Sequence, residues 1–257
     1  MLKRELIETF GTIGVQARLR QVLATDPVLT IGQLERRVDL ILKSARFRPN
    51  PAEWAALLGS VGFALTERQV GTSVGARVKS LEVFVCSSTR VATLTDWNLR
   101  QLAGLAAVRY GLGVRAEHWQ LRALERTNTH MPIPDAMIRL VGDKPATATY
   151  RPPPLPVHAL VALEWDSGSA TRTELVEKIR SYAATATCQI WAAPTLKRAM
   201  TIHELLSHHL EPGHLATLAV DWRSGQAIDL MLPDRGTVLF TALSRVVPLD
   251  APWGVLC

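Results

Sequence analysis

An almost continuous apolar run in the second half of the chain predicts a buried strand. Val157 to Leu163 is of strand length and nearly free of polar residues, as is typical of a strand that is covered on both faces. Glu164 and Asp166 close the run. Because side chains alternate along a strand, the two acids are expected on one face, with Trp165 buried on the opposite face.

The apolar residues that follow this strand are spaced as on one face of a helix. Thr171 or Thr173 is suited to cap a helix that runs to about Ala184. At ~100° per residue, Lys178 lies beside the apolar stripe formed by Leu175, Ile179 and Tyr182. A cation beside a buried stripe needs a partner, and the two strand-end acids are the nearest. A purely structural ion pair, or a lysine that extends to solvent, is the alternative interpretation.

Further apolar segments follow in alternation. They predict a strand, a helix and two more strands, at Cys188–Ala193, Thr195–Leu210, Leu215–Asp221 and Thr237–Leu243. The order strand, helix, strand, helix, strand predicts an α/β core for the second half of the chain.

The first half has helical spacing up to about residue 48. Helices are expected at Leu2–Phe10, at Val15–Ala24 and, capped by Thr30, at Ile31–Ser44. Pro51 then opens a helix that reaches Leu58.

The pattern beyond Leu58 predicts two more helices and a hairpin. Thr66 and Gln69 form a capping-box pattern for a short helix, and a third helix is expected over SVGARVKSLE. Two strands follow, with a turn near Ser87, before a helix that begins at about Asp96. Three helices and a hairpin predict a mostly helical winged helix-turn-helix domain.

In a winged domain the third helix enters the major groove of DNA and the hairpin contacts the backbone or minor groove. This arrangement predicts five DNA-binding residues: Thr72, Ser73, Arg77 and Lys79 on the helix and Arg90 on the wing. A winged domain that binds a protein, with these cations merely solvated, is the alternative.

The distribution of charge along the chain supports a DNA-binding role for the first half. The chain has 257 residues, and its first 130 hold 18 Lys and Arg against 11 Asp and Glu, whereas the rest hold 11 against 12. The first half is therefore the part expected to meet phosphate. A hydrophobic content of 47% is sufficient for well-packed cores.

Several classes of protein lack support in the sequence. The three cysteines, Cys86, Cys188 and Cys257, form no C-x-x-C and are interpreted as reduced thiols. No run approaches the ~18 apolar residues of a membrane span, and no secretory signal is expected. The expected location is the cytoplasm. The histidines after Met200 lack a metal-binding spacing, and no nucleotide-binding or serine-hydrolase motif occurs.

A third acid precedes the buried strand. Asp135 follows Pro134 and leads into a predicted hairpin, Ala136–Val141 and Ala146–Tyr150. The motifs PDA, LEWDSGS and EKIRSY resemble the replication-relaxation family of plasmid and mobile-element proteins, within the PD-(D/E)xK nuclease-like superfamily. The resemblance implies a winged helix-turn-helix domain at residues 1–112 and a restriction-endonuclease-like α/β domain at residues 113–257.

The resemblance also implies a chemistry. Asp135 and Glu164, with Asp166, would hold Mg²⁺ or Mn²⁺, and Lys178 would orient water for cleavage of a DNA phosphodiester. The superfamily's lysine stands two residues after the glutamate, where this chain has Asp166, so Lys178 is its equivalent on the next helix. Nuclease-like cores often carry one more acid, and Glu117 and Glu125 are candidates.

The implied partner is double-stranded DNA, with a second copy of the chain or replication and mobilisation proteins as further partners. The main alternative is a replication or regulatory factor that binds DNA without cleaving it, and in which the nuclease-like domain is a scaffold. An interaction module that binds no nucleic acid is the third hypothesis.

Overall fold

The computed structural model describes residues 16–42 except Arg18, and residues 51–71, 79–123, 132–139 and 160–231. The predicted segments at residues 2–10, 146–150 and 237–243 lie outside the described residues, as do Glu125 and Cys257. The chain is a mixed α/β protein with two separate sheets, which agrees with the predicted α/β class.

The chain divides into two compact units. Of the described residues, the first unit holds those up to Ala106, together with the short segment Trp222–Gly225. The second unit holds Ala107–Asp221 and the residues from Gln226 onward. Among the helices that the structure describes, none is both long enough and apolar enough to cross a membrane.

The first unit combines helices with a three-stranded antiparallel sheet. Residues 19–25 are helical. The elements that follow are β1 (Val28–Thr30), α1 (Ile31–Leu42), α2 (Pro51–Gly59), β2 (Phe63–Gly71), β3 (Lys79–Ser87) and α3 (Asp96–Gly111), whose residues after Ala106 belong to the second unit. The strand order is β1-β3-β2, and β3 pairs with both neighbours.

Two predicted helices of the first unit are wrong in the part of the chain that the structure describes. The segment from Thr66 lies in β2, and the predicted third helix ends in β3, while residues 72–78 lie outside the described part. Thr66 is directly opposite Phe84 in the hairpin register and is buried. The apolar residues of β2 and β3 gain more by pairing across the hairpin than a short capping-box pattern provides. A turn, not a second strand, follows Ser87.

The remaining elements of the first unit are close to the prediction. Thr30 caps α1, because its Oγ1 accepts a hydrogen bond from the backbone N–H of Gln33 at 3.1 Å. Helices α2 and α3 begin at Pro51 and Asp96, as predicted. The helices pack on the sheet through a core of buried side chains that includes Leu23, Leu34, Trp54, Leu58 and Val85.

The second unit contains a six-stranded mixed sheet. Its elements are a 3₁₀ turn (Ala116–His118), β4 (Trp119–Leu121), β5 (Ala136–Arg139), β6 (Leu160–Trp165), α4 (Arg172–Ala183), β7 (Cys188–Ala193), α5 (Leu196–Leu206), a 3₁₀ turn (Ser207–His209), β8 (Leu215–Asp221) and β9 (Gln226–Met231). The strands lie in sequence order. β6, β7 and β8 are parallel, and the other pairs are antiparallel.

The three parallel strands explain the continuous apolar runs in the sequence. β7 is buried throughout, and β6 and β8 are buried except for one end residue each. α4 and α5 share one core with this sheet, built from side chains such as Ala162, Leu175, Ile179, Trp191 and Ile202. The predicted order strand, helix, strand, helix, strand is confirmed.

The start of α4 depends on one threonine. Thr171 Oγ1 accepts a hydrogen bond from the Glu174 backbone N–H, and the Glu174 carboxylate accepts from the Thr171 backbone N–H at 2.7 Å. The hydrogen bonds that the backbone N–H and the hydroxyl of Thr171 donate to the Glu174 carboxylate lower the pKa of Glu174 below its usual value. The contribution of Glu174 to stability is therefore present above its unfolded pKa and is lost as the pH falls through its folded pKa.

Replacing Thr171 by alanine is expected to lower the free energy of unfolding by about 1 kcal/mol, because the first turn of α4 loses its capping oxygen. Urea denaturation followed by circular dichroism measures the change. Thr173→Ala is the matched control, since Thr173 is exposed and lies inside the first turn. An equal loss of stability in both variants would contradict the role assigned to Thr171.

Cys86 and Cys188 are buried thiols without a disulfide bond. Burial raises the pKa of Cys188 to about 12. It also raises the pKa of Cys86, although the charge of Arg68 partly opposes this effect. Each thiol is less acidic in the folded than in the unfolded state, so its contribution to stability is complete below about pH 9 and declines as the pH rises towards its folded pKa.

We expect both thiols to resist Ellman's reagent at pH 8 in the folded protein, because the thiolate is the reactive form. A Cys257→Ser background restricts the measurement to these two residues. Both should react within minutes once the protein is unfolded in guanidinium chloride. Fast reaction of either thiol under native conditions would mean that it is exposed in solution.

Candidate functional site

The carboxylate of Glu164 lies at the carboxyl end of β6 and is almost fully buried. Lys178 of α4 donates from Nζ to Oε1 of Glu164, and Tyr182 of the same helix donates from its hydroxyl to Oε2 at 2.8 Å. Lys178 and Tyr182 are one helical turn apart and so share one face of α4. Both oxygens of Glu164 therefore have a donor from this helix, as the helical spacing predicted for Lys178.

Asp135 lies directly before β5 and is fully buried. Its Oδ2 accepts a hydrogen bond from the backbone N–H of Trp165 at 3.0 Å. The antiparallel register pairs Ala136 with Leu163, and its continuation by one residue puts Asp135 opposite Glu164. The fold thus brings Asp135, Glu164 and Lys178 to the same end of β5 and β6.

Asp166 has a different partner. It is buried, its Oδ2 accepts from Arg198 Nε of α5 at 2.5 Å, and its Oδ1 accepts from the Gly168 backbone N–H at 3.0 Å. Arg198 also donates from Nη2 to the carbonyl of Ala170 at 2.7 Å. Asp166 is therefore directed towards α5, whereas Glu164 is directed towards α4.

Sequence reasoning missed Arg198, although the same argument that selected Lys178 applies to it. At ~100° per residue, Arg198 lies beside the apolar stripe that Ala199, Ile202 and Leu206 form on α5. It thus flanks the buried face of its helix, as Lys178 does in α4. The prediction that Trp165 is buried is confirmed, because only 2% of its surface is exposed.

The metal-binding potential of this region depends on two acids. Among the described residues, no group of three or more His, Cys, Asp or Glu side chains is arranged to hold a metal ion. The predicted third ligand, Asp166, is instead paired with Arg198. Mg²⁺ is commonly held by only one or two protein carboxylates, so Asp135 and Glu164 are the two predicted ligands that remain at this end of the sheet. Glu117 is exposed and lies 3.9 Å from Arg115.

Of the five predicted DNA-binding residues, the structure describes only Lys79, predicted on the third helix, and Arg90, predicted on the wing. Thr72, Ser73 and Arg77 are outside the described residues. Lys79 is exposed at the start of β3, opposite Gly71, and Arg90 is exposed in the turn after β3. Both cations are accessible to solvent, and the helical placement of Lys79 is wrong because it lies on a strand.

Comparisons of the chain with known proteins give no family: no family model, no curated protein and no solved structure matches it.

Proposed function

We propose that the chain is a DNA-binding protein of a plasmid or other mobile element, whose second unit is a PD-(D/E)xK-like nuclease domain that cleaves DNA with Mg²⁺ or Mn²⁺. The observation that supports this proposal most is the convergence of Asp135, Glu164 and Lys178 at one end of β5 and β6. A mixed sheet with two acids on neighbouring strands and a lysine on the next helix agrees with the resemblance in the PDA, LEWDSGS and EKIRSY motifs.

Asp135 and Glu164 would hold the ion. When bound, the ion would neutralise charge on the scissile phosphate and make water a better nucleophile. Lys178 would stabilise the negative charge that develops on the phosphate, since its ammonium is fixed by Glu164 while 26% of its side chain stays exposed. Tyr182 would position Glu164 through the hydrogen bond to Oε2.

For the first unit we propose a winged helix-turn-helix domain with different boundaries from those in the sequence prediction. The order β1, α1, α2, β2, β3 and the sheet order β1-β3-β2 are typical of a winged helix. In this topology α2 is the helix before the wing and therefore the one presented to DNA. The wing is the β2–β3 hairpin, which carries Lys79, and Arg77 is contributed by its connecting segment.

A second candidate function, DNA binding without cleavage, is favoured by the pairing of charges in the second unit. Glu164 pairs with Lys178 and Asp166 pairs with Arg198, so each of these buried acids has its own cation. Such pairs can have a purely structural role, in which they fix the end of a strand to two helices. The nuclease-like unit would then be a scaffold for partner proteins.

Incubation of the protein with supercoiled plasmid and Mg²⁺ or Mn²⁺ separates the two candidates. An active nuclease should relax or linearise the plasmid, and Glu164→Gln and Lys178→Met should each abolish this activity. Glu177→Gln is the matched control, because Glu177 is exposed on the same helix. If the wild-type protein leaves the plasmid intact at all metal concentrations, nuclease activity is contradicted and DNA binding without cleavage is favoured.

Binding to duplex DNA tests the first unit. Affinity should fall steeply as salt rises, and Arg77→Ala with Lys79→Ala should weaken it and reduce the salt dependence, because two phosphate contacts are lost. Arg172→Ala with Lys197→Ala removes the same charge from exposed positions of the second unit and is the control. Equal affinity in the two double variants would mean that the hairpin is not the site of DNA contact.

A further inference from the structure

Two buried acids at the end of β6 hold two partly exposed cations. Glu164 and Asp166 are separated by one residue, and their side chains are 3% and 2% exposed. Lys178 and Arg198, which pair with them, are each 26% exposed. Residues two apart on a strand are about 6–7 Å apart and lie on one face. The two cations are therefore both held by acids at the same edge of the sheet, the carboxyl end of β6.

The guanidinium of Arg198 uses only some of its N–H groups in hydrogen bonds within the described part of the chain. Of its five N–H groups, one binds Asp166 and one binds the Ala170 carbonyl. The others have no partner in the part of the chain that the structure describes. Both existing bonds fix the guanidinium in one orientation, so an incoming anion does not have to order the side chain. A fixed, partly exposed guanidinium is well suited to bind phosphate through two N–H groups.

Both carboxylate oxygens of Asp166 accept hydrogen bonds that hold Arg198 and the loop after β6 in place. One of its oxygens accepts from Arg198 and the other from the Gly168 N–H. Gly168 has a φ of 93°, which glycine adopts without strain, and this turn directs its N–H back to Asp166. The carboxylate thus holds the arginine and the start of the β6–α4 loop together.

We propose that Arg198 binds a phosphate group of the nucleic acid strand at this edge, beside Lys178, and that Asp166 positions Arg198 and is not a metal ligand. The inference rests on the proposed function for the identity of the ligand as a nucleic acid. The anion site itself depends only on the geometry of Asp166, Arg198 and Lys178.

The test uses the full chain and sodium pyrophosphate as the probe, with thermal unfolding as the readout. At a ten-fold excess over its dissociation constant, pyrophosphate should raise the Tm of the wild-type protein by roughly 3–5 °C. Lys197→Met should keep this rise, because Lys197 is an exposed cation next to Arg198 that pairs with no buried acid among the described residues. Arg198→Met should lose it.

Arg198→Met also leaves Asp166 buried without its cation and can prevent folding. The double variant Asp166→Asn with Arg198→Met removes both charges and keeps the second unit testable. No rise in Tm for the wild-type protein, or an equal rise in the double variant, would overturn the proposed site. Asp166→Asn alone should keep the Mg²⁺ affinity close to that of the wild-type protein, and a large loss would show that Asp166 is a metal ligand.

The outcome is separable from that of the cleavage assay. If the rise in Tm with pyrophosphate depends on Arg198 but the plasmid stays intact, the proposed cleavage reaction is contradicted and the anion site is supported. If the Arg198→Met protein cleaves plasmid with the wild-type KM and still shows the full rise in Tm with pyrophosphate, the cleavage reaction is supported and the anion site is contradicted.

Discussion

Replacing Glu164 by alanine is expected to lower the free energy of unfolding by about 3–5 kcal/mol. The substitution removes the buried carboxylate that accepts from Lys178 Nζ and from the Tyr182 hydroxyl at the end of β6, although the hydroxyl also donates to the Ile133 carbonyl at 3.2 Å. Removing one partner of a buried ion pair costs more than removing one partner of an exposed pair. Urea denaturation monitored by circular dichroism gives the change in free energy.

The exposed Glu177 on the same helix supplies the control. Glu177→Ala should change stability by less than about 0.5 kcal/mol. Glu164→Gln should fall between the two, because glutamine keeps an acceptor oxygen but no negative charge for Lys178. A stability of Glu164→Ala equal to that of the wild-type protein would mean that the buried pair contributes nothing, as is known for some buried pairs.

Replacing Trp165 by alanine is expected to cost about 3–5 kcal/mol, since the side chain is 2% exposed on a strand at the centre of the sheet. The loss has two causes: the apolar surface no longer buried and the cavity that remains. Trp165→Phe, which fills most of the cavity, should cost much less. The measurement is the same urea titration.

Trp97→Ala is the comparison for an exposed tryptophan. Trp97 is 39% exposed on α3, so its removal should cost well under half as much. Similar losses at the two positions would show that the burial of Trp165 in the sheet is not what stabilises the second unit.

The parallel part of the second unit, from β6 to β8, could be predicted because its signals are local and mutually consistent, whereas β9 (Gln226–Met231) was missed. The run that becomes β6 is apolar throughout, and the cap at Thr171 marks the start of α4. Lys178 could be paired with the strand-end acids from helical periodicity alone, and its contact with Glu164 is confirmed. Arg198 obeys the same rule in α5 but has no motif to direct attention to it.

The hairpin of the first unit could not be predicted from local signals. Thr66 and Gln69 have the spacing of a helix start, yet both lie in β2 because their partners on β3, Phe84 and Leu81, come later in the chain. Similarly, nothing in the spacing of Glu164 and Asp166 indicates that they are directed to different helices. That division depends on the positions of their cations on α4 and α5, which only the packed structure fixes.

The presence of Trp222–Gly225 in the first unit sets the order in which that unit can be completed during synthesis. Trp222 stacks on Phe84 with ring centroids 6.0 Å apart, its carbonyl accepts from the Gln33 side chain, and Arg223 pairs with Glu82. These contacts join the first third of the chain to its last quarter, so a ribosome must translate most of the chain before they form. A fragment that ends at residue 112 lacks them and should be less stable than the same residues in the full chain, because Phe84 loses the Trp222 ring and Gln33 loses the Trp222 carbonyl while keeping that of Ala103.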